Sequence, residues 1–241
     1  MKVFLIIAII LIVLVALFLL RSEYERHHVV TTYYTVRSKR LPSAFEGFRI
    51  LYLSDFHAMN YRGQQKAFEK RLSRIRCDAI LMGGDMVTVR NREKEFSAFE
   101  NLLNHCPEGV PIFFSMGNHE SRMYEGNPEY DGWSDEFDAL LEKYHVRVLD
   151  NETIGITKDG AHIFLSGCTL EKKYYKPVKI EPLSVEEIEE KIGPNRGFSV
   201  VMVHSPLYME TFSEWGSDLT LSGHFHGGTI YLGPLGGLMT P

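Results

Sequence analysis

The chain opens with an unbroken apolar run in which every residue from Val3 to Leu20 is Val, Phe, Leu, Ile or Ala. A helix of about 18 such residues is just long enough to cross the hydrocarbon core of a bilayer. A cleaved signal peptide, the alternative, has an apolar core of about 7–15 residues and then a small-residue cleavage site. Because Arg21 follows Leu20 directly, we predict an uncleaved single-pass anchor over residues 1–21. The basic residues after this run outnumber Lys2 before it, which favours a cytoplasmic domain.

Residues 22–46 predict a tether that leads into an early strand, since Val29–Val36 is β-branched and aromatic. From residue 47 to 241, which we predict to be one domain, short apolar runs alternate with segments whose apolar residues recur every three or four positions. The runs predict strands over 48–53, 79–82, 111–116, 146–149, 162–166 and 198–203. The spaced segments predict helices over 64–76, 94–103, 135–144 and 185–191. This alternation is typical of an α/β domain with parallel strands beneath helices.

Polar motifs follow directly after these apolar runs. They are Asp55-Phe56-His57, Gly84-Asp85, Gly117-Asn118-His119-Glu120, His204 and Gly223-His224-Phe225-His226-Gly227-Gly228. In sheets of this kind, ligands bind at the carboxyl ends of the strands. We therefore expect all of these side chains to meet at one edge of the domain.

Carboxylate, amide and imidazole groups together form a ligand set suited to Mn, Fe, Zn or Co. The set is too large for one ion, so it predicts two metals about 3.5–4 Å apart with one carboxylate bridging them. Two such ions can generate a hydroxide at neutral pH and hold the oxygens of a phosphoryl group. Hydrolysis of a phosphoester is the chemistry that this set favours.

Composition narrows the class of protein further. The net charge of −5 gives no indication of a basic surface for nucleic acid. The three cysteines, Cys77, Cys106 and Cys168, are scattered and without CxxC spacing. Their number and spacing argue against a disulfide framework and against a zinc ribbon.

The order of the motifs resembles that of the calcineurin-like metallophosphoesterase family over residues 48–228. The apolar N-terminus and the Gly-His-x-His-Gly-Gly ending are similar to the membrane-associated bacterial branch of this family, which includes enzymes that cleave UDP-diacylglucosamine. The resemblance implies a β-sandwich flanked by helices and two divalent ions, with Mn, Fe or Zn preferred. Asp55, His57 and His226 would hold the first ion, Asp85 would bridge, and Asn118, His204 and His224 would hold the second. His119 would face the substrate without binding metal, and Glu120 would orient its neighbours.

Several alternatives stay open at this point. The substrate is a phosphomonoester, a phosphodiester, a lipid-linked pyrophosphate or a phosphoprotein, and a non-catalytic module that uses its metals structurally is the other class of function. The family usually continues past Gly228 with more strands, whereas here only Thr229–Leu232 precedes the end at Pro241. We therefore expect either a fragment or a short second sheet. The basic aromatic cluster Lys172–Lys176 is either a solvated loop or a contact for phosphate or anionic headgroups.

Overall fold

The computed structural model describes residues 2–59, 64–90, 93–176 and 180–226. Within these residues the strands are β1 (Ile50–Leu53), β2 (Ala79–Met82), β3 (Thr88–Arg90), β4 (Glu93–Glu95), β5 (Ile112–Phe114), β6 (Arg147–Val148), β7 (Glu152–Lys158), β8 (Ala161–Cys168), β9 (Ser199–Val203) and β10 (Leu219–Leu221). The helices are α1 (Lys2–His27), α2 (Gln65–Leu72), α3 (Ser97–Asn104), α4 (Asn118–Tyr124), α5 (Trp133–Lys143), α6 (Val185–Ile192) and α7 (Met209–Trp215).

Two four-stranded sheets form the centre of the domain. The first has the order β1-β2-β5-β6 and is parallel throughout. The second has the order β10-β9-β8-β7, in which only β7 runs antiparallel to its neighbour. Strands β3 and β4 make a separate antiparallel pair.

The two sheets face each other across an apolar layer. Ile50 and Leu81 of the first sheet pack with Leu165, Met202 and other inward-facing residues of the second. On its other face the first sheet packs against helices α2, α3 and α5, and the second sheet packs against α6 and α7. The domain is therefore an α/β sandwich with helices outside both sheets, as predicted.

Helix α1 is longer than the predicted anchor, because it continues past Leu20 to His27. Its segment Val3–Glu25 contains an 18-residue window with a mean hydropathy of 3.7, and none of this window is buried in the protein. Among the described residues it is the one helix long and apolar enough to span a bilayer, a test that N-terminal signal sequences also pass. The predicted boundaries of anchor, tether and domain stay predictions.

Most predicted elements are present, and three differ. Val29–Val36 contains no strand, so that prediction was wrong. Lys94 lies in β4 rather than in a helix, because Glu93–Glu95 pairs with β3 and α3 begins only at Ser97. Strand β7 was not predicted, and it runs antiparallel to β8, against the expectation of parallel strands, because only Asp159 and Gly160 join the two strands. These two residues adopt positive φ, as tight hairpin turns require. The predicted strand Thr229–Leu232 lies outside the described residues.

Candidate metal centre

The carboxyl ends of five strands meet at one edge of the sandwich, as the positions of the motifs predict. Asp55 and His57 follow β1, Asp85 follows β2, and Asn118 begins α4 shortly after β5. His204 follows β9, while His224 and His226 follow β10. Both sheets thus contribute side chains to the same place.

A first group of possible metal ligands consists of Asp55, His57 and His226, whose ligand atoms all lie within 4.8 Å of one another. The Nε2 atoms of His57 and His226 are 3.1 Å apart, and His226 Nε2 lies 3.5 Å from Asp55 Oδ1. Two nitrogens in neighbouring positions on one ion, each about 2.1 Å from it, would lie about 3.0–3.4 Å apart. The spacing of this group therefore fits a single cation.

A second group consists of Asp85, His204 and His224, whose ligand atoms also lie within 4.8 Å of one another. Asp85 Oδ2 lies 3.0 Å from His204 Nε2 and 3.7 Å from His57 Nε2, so one carboxylate oxygen borders both groups. His204 Nδ1 donates to the carbonyl oxygen of Gly83 at 2.8 Å. In the neutral ring Nε2 then carries the lone pair, which is the state that a metal ligand needs.

One buried polar atom at this edge, Asn118 Oδ1, makes no hydrogen bond within the described residues. A buried acceptor without a partner is unfavourable, so this atom fits a site that binds a cation. Together with the carboxylates and the imidazoles, it forms a donor set suited to a transition metal.

His119 differs from the other histidines in the tautomer that its contacts impose. Its Nδ1 accepts a hydrogen bond from the backbone N–H of Val89 at 3.0 Å. In a neutral ring the proton is then on Nε2, so that atom can donate a hydrogen bond, although His57, Asp85 and His119 also lie close enough together to form a further possible metal group. The ring packs edge-on against His57 with the centroids 4.9 Å apart, so it lies beside the first group.

Glu120 is fully buried next to these residues and organises the backbone around them. One carboxylate oxygen accepts the N–H groups of Asp85 and Gly117 at 2.8 and 3.0 Å, and the other accepts those of Met86 and Val87 at 2.8 and 3.2 Å. Burial raises the pKa of Glu120 to about 7, and the charge of Asp85 adds to this, while the backbone donors oppose it. Glu120 therefore fixes the loop that carries Asp85.

The electrostatics of the centre favour positive charge. Burial alone would raise the pKa of Asp85, but the hydrogen bond and charge of His204 and the charge of His119 lower it below its ordinary value. Burial alone would lower the pKa of His204, yet the carboxylate of Asp85 raises it to about 9. The carboxylates thus stabilise a neighbouring cation strongly. Burial lowers the pKa of His119 to about 4, so that ring is neutral.

The backbone is strained where these side chains are presented. Asp55, His57, Asp85, His224 and His226 all have positive φ, between 46° and 69°. Non-glycine residues adopt this region only at a cost in conformational free energy. Residues with such strained backbones are often found at functional sites. A Cβ on Gly84, whose φ is +87°, would collide with the backbone of Gly117. The loops after β2 and β5 can approach this closely only because both residues are glycine.

Sequence reasoning did not place Tyr175 at this centre. The residue ends a 3-10 helix over Lys172–Tyr175, and its ring packs edge-on against His224 with the centroids 5.2 Å apart. Burial and the charge of Asp85 raise the pKa of its phenol, which therefore stays protonated. The basic aromatic cluster was visible in the sequence, but nothing in its pattern indicated which tyrosine turns inward.

Comparison with known proteins agrees with this geometry. The sequence signature of the calcineurin-like phosphoesterase family matches residues 48–228, and the chain belongs to that family. It is 26% identical over 221 residues to the uncharacterized metallophosphoesterase YkuE of Bacillus subtilis, covering 90% of this chain and 71% of that protein. It is also 26% identical over 185 residues to the phosphodiesterase YaeI of Escherichia coli, covering 76% of this chain and 62% of that protein.

Other relatives are more distant or longer. The chain spans 47% of the uncharacterized metallophosphoesterase Cj0846 of Campylobacter jejuni, at 22% identity over 79% of its own length. Among solved structures, the phosphopantetheinyl hydrolase PptH of Mycobacterium tuberculosis matches at 15% identity with a TM-score of 0.45, covering 77% of this chain and 86% of that one. Members of the family use divalent metals and act on phosphorylated substrates.

Proposed function

We propose that the protein is a membrane-anchored hydrolase of phosphoric esters with a two-metal centre. The observation that carries the proposal is the position of Asp85, whose Oδ2 lies 3.7 Å from His57 and 3.0 Å from His204. A carboxylate that borders two separate groups of ligands is the arrangement that a bridging residue requires. The helix Val3–Glu25, exposed along its length, supports the membrane anchor.

In this proposal each metal has its own ligands in addition to Asp85. Asp55, His57 and His226 hold the first ion, and Asn118, His204 and His224 hold the second. When bound, the two ions would lower the pKa of a water molecule and neutralise charge on a phosphoryl group. Asp85 carries its negative charge because neighbouring histidines lower its pKa, so it is ready to bridge.

The role of His119 follows from its tautomer. Since Nδ1 is occupied by the N–H of Val89, the Nε2–H remains as a donor beside the first group. It can donate to the oxygen that leaves when the ester bond breaks, or to an equatorial phosphoryl oxygen. Asp85 Oδ1 accepts the backbone N–H of His119 at 2.9 Å and so fixes its distance from the centre.

The substrate is a phosphomonoester, a phosphodiester, a lipid-linked pyrophosphate or a phosphoprotein. The name of the Escherichia coli relative favours the diester among these. The alternative function is a non-catalytic module in which the metals only stabilise the fold. His119 argues against this non-catalytic function, because a structural metal site does not require a neutral imidazole beside it that can donate a hydrogen bond.

The experiment is to purify the full chain in detergent with added Mn, then measure metal content and hydrolysis of each class of substrate. We expect close to two ions per chain and activity on at least one class. Asp85→Asn should reduce the binding of both ions, whereas Asp131→Asn, at an exposed residue, should bind two. Folded protein with two ions and no hydrolysis of any substrate would support the binding module instead. A metal content near zero in folded protein would remove the proposed centre.

A further inference from the structure

Tyr175 has a buried hydroxyl whose partner is missing from the described part of the protein. Its oxygen is inaccessible to solvent and makes no hydrogen bond there. The two tyrosines near it are different: Tyr174 donates to Glu187 at 2.6 Å, and Tyr208 donates to the carbonyl oxygen of Glu181 at 3.1 Å. Because a buried donor without a partner is unfavourable, the hydroxyl of Tyr175 calls for an acceptor that the described residues do not supply.

The ring of Tyr175 lies on the side of the second group of ligands. Its centroid is 5.2 Å from that of His224 and 6.1 Å from that of His204. His119 lies beside the first group, with its ring 4.9 Å from that of His57. A phosphoryl group held by both groups of ligands would therefore have His119 near one group and Tyr175 near the other.

The segment that carries Tyr175 is held firmly. Tyr174 is almost completely buried in the core beside α6 and α7, and Tyr208 also donates to its carbonyl oxygen at 3.3 Å. A side chain fixed in this way is suited to positioning a ligand, because little order has to be gained on binding.

The nature of the acceptor follows from the charges around it. A protonated phenol can donate to an anionic oxygen, and the cations that the centre is built to hold would attract an anion there. We propose that Tyr175 is a substrate-binding residue whose hydroxyl donates a hydrogen bond to a phosphoryl oxygen at the second metal position. This inference rests on one part of the proposed function, namely that a phosphoryl group binds at the centre.

The test compares Tyr175→Phe with Tyr174→Phe in the full chain, loaded with Mn and kept in detergent. Inorganic phosphate is titrated into each protein by calorimetry, and metal content is measured alongside. We expect Tyr175→Phe to keep both ions and to bind phosphate about 5- to 10-fold more weakly, as the loss of one hydrogen bond predicts. Tyr174→Phe, which removes a hydroxyl bonded to Glu187 away from the centre, should bind phosphate within about twofold of the wild type.

A second readout is the thermal midpoint. Removing a buried hydroxyl that has no partner among the described residues should leave the phosphate-free Tyr175→Phe protein at least as stable as the wild type, while the stabilisation by phosphate becomes smaller. Unchanged phosphate affinity with full metal content would overturn the inference. So would the loss of an ion in Tyr175→Phe, since the residue would then act through His224, and so would a metal-loaded wild type that does not bind phosphate. Phosphate binding that depends on Tyr175 in a protein without hydrolytic activity would support this inference and reject the proposed hydrolase.

Discussion

The carboxylate of Glu120 accepts the backbone N–H of Asp85 at 2.8 Å, and this contact joins the first turn of α4 to the loop after β2. The same side chain accepts three further N–H groups, from Met86, Val87 and Gly117. A single buried residue therefore fixes the positions of Asp85 and, through Gly117, of Asn118. The geometry of the centre depends on Glu120 although it lies behind the ligands.

Glu120→Gln should destabilise the fold and weaken metal binding. The amide NH2 of glutamine would face two backbone N–H donors in place of an acceptor, which leaves buried donors unpaired at a cost of about 1–3 kcal/mol. The thermal midpoint without metal, and the affinity for Mn, measure the two effects. Glu125→Gln, at the exposed end of the same helix, is the matched control and should change neither. A Glu120→Gln protein with wild-type stability and metal affinity would contradict this account.

Gly84→Ala should be destabilising by more than about 1 kcal/mol, because alanine is strained at positive φ and its Cβ would meet the backbone of Gly117. For a domain of this size, each kcal/mol lowers the thermal midpoint by roughly 2–4 °C. Gly155→Ala in β7 is the control, since a Cβ there meets nothing within 4 Å and φ is not positive. Equal midpoints for the two variants would show that the loops can separate freely.

His119→Ala should keep both metals and lower kcat far more than it weakens substrate binding. Loss of a proton donor typically reduces the rate about 10²–10⁴-fold when the leaving oxygen needs a proton. The reduction should be much smaller with p-nitrophenyl esters, whose leaving oxygen departs without one. His162→Ala, an exposed histidine on β8 that contacts Thr157, should be fully active. Loss of metal from His119→Ala would instead make His119 a ligand.

The apolar helix should keep the full chain in the membrane. A helix that contains an 18-residue window with a mean hydropathy of 3.7 is not released by salt, because its retention is hydrophobic rather than electrostatic. We expect the protein to sediment with membranes after washing at high salt and to dissolve only in detergent. Sequencing of the N-terminus should give Met1 or Lys2. A soluble form that begins near residue 22 would show that the helix is a cleaved signal sequence.

The sequence by itself determined the class of fold and indicated where the candidate site lies. Buried strands such as Ala79–Met82 are continuous apolar runs, and polar residues or glycines follow where each strand ends. Because carboxyl ends of parallel strands meet at one edge, the residue after each run could be assigned to a common centre. The Asp-Gly pair at 159–160 also indicates a hairpin turn, and this signal alone would have predicted that β7 pairs antiparallel with β8.

The tertiary structure decided what each of these side chains can do. His119 and His204 are both histidines at strand ends, yet one faces a backbone N–H and the other a carbonyl oxygen, and these partners are 30 and 121 residues away in the chain. The partner sets the tautomer, and in a neutral ring the tautomer decides whether Nε2 carries a proton or a lone pair. The four N–H groups around Glu120, and the hydroxyl of Tyr175, which has no partner among the described residues, likewise result from the tertiary structure. A hydrogen bond depends on the direction and distance of its partner, which the chain acquires only by folding.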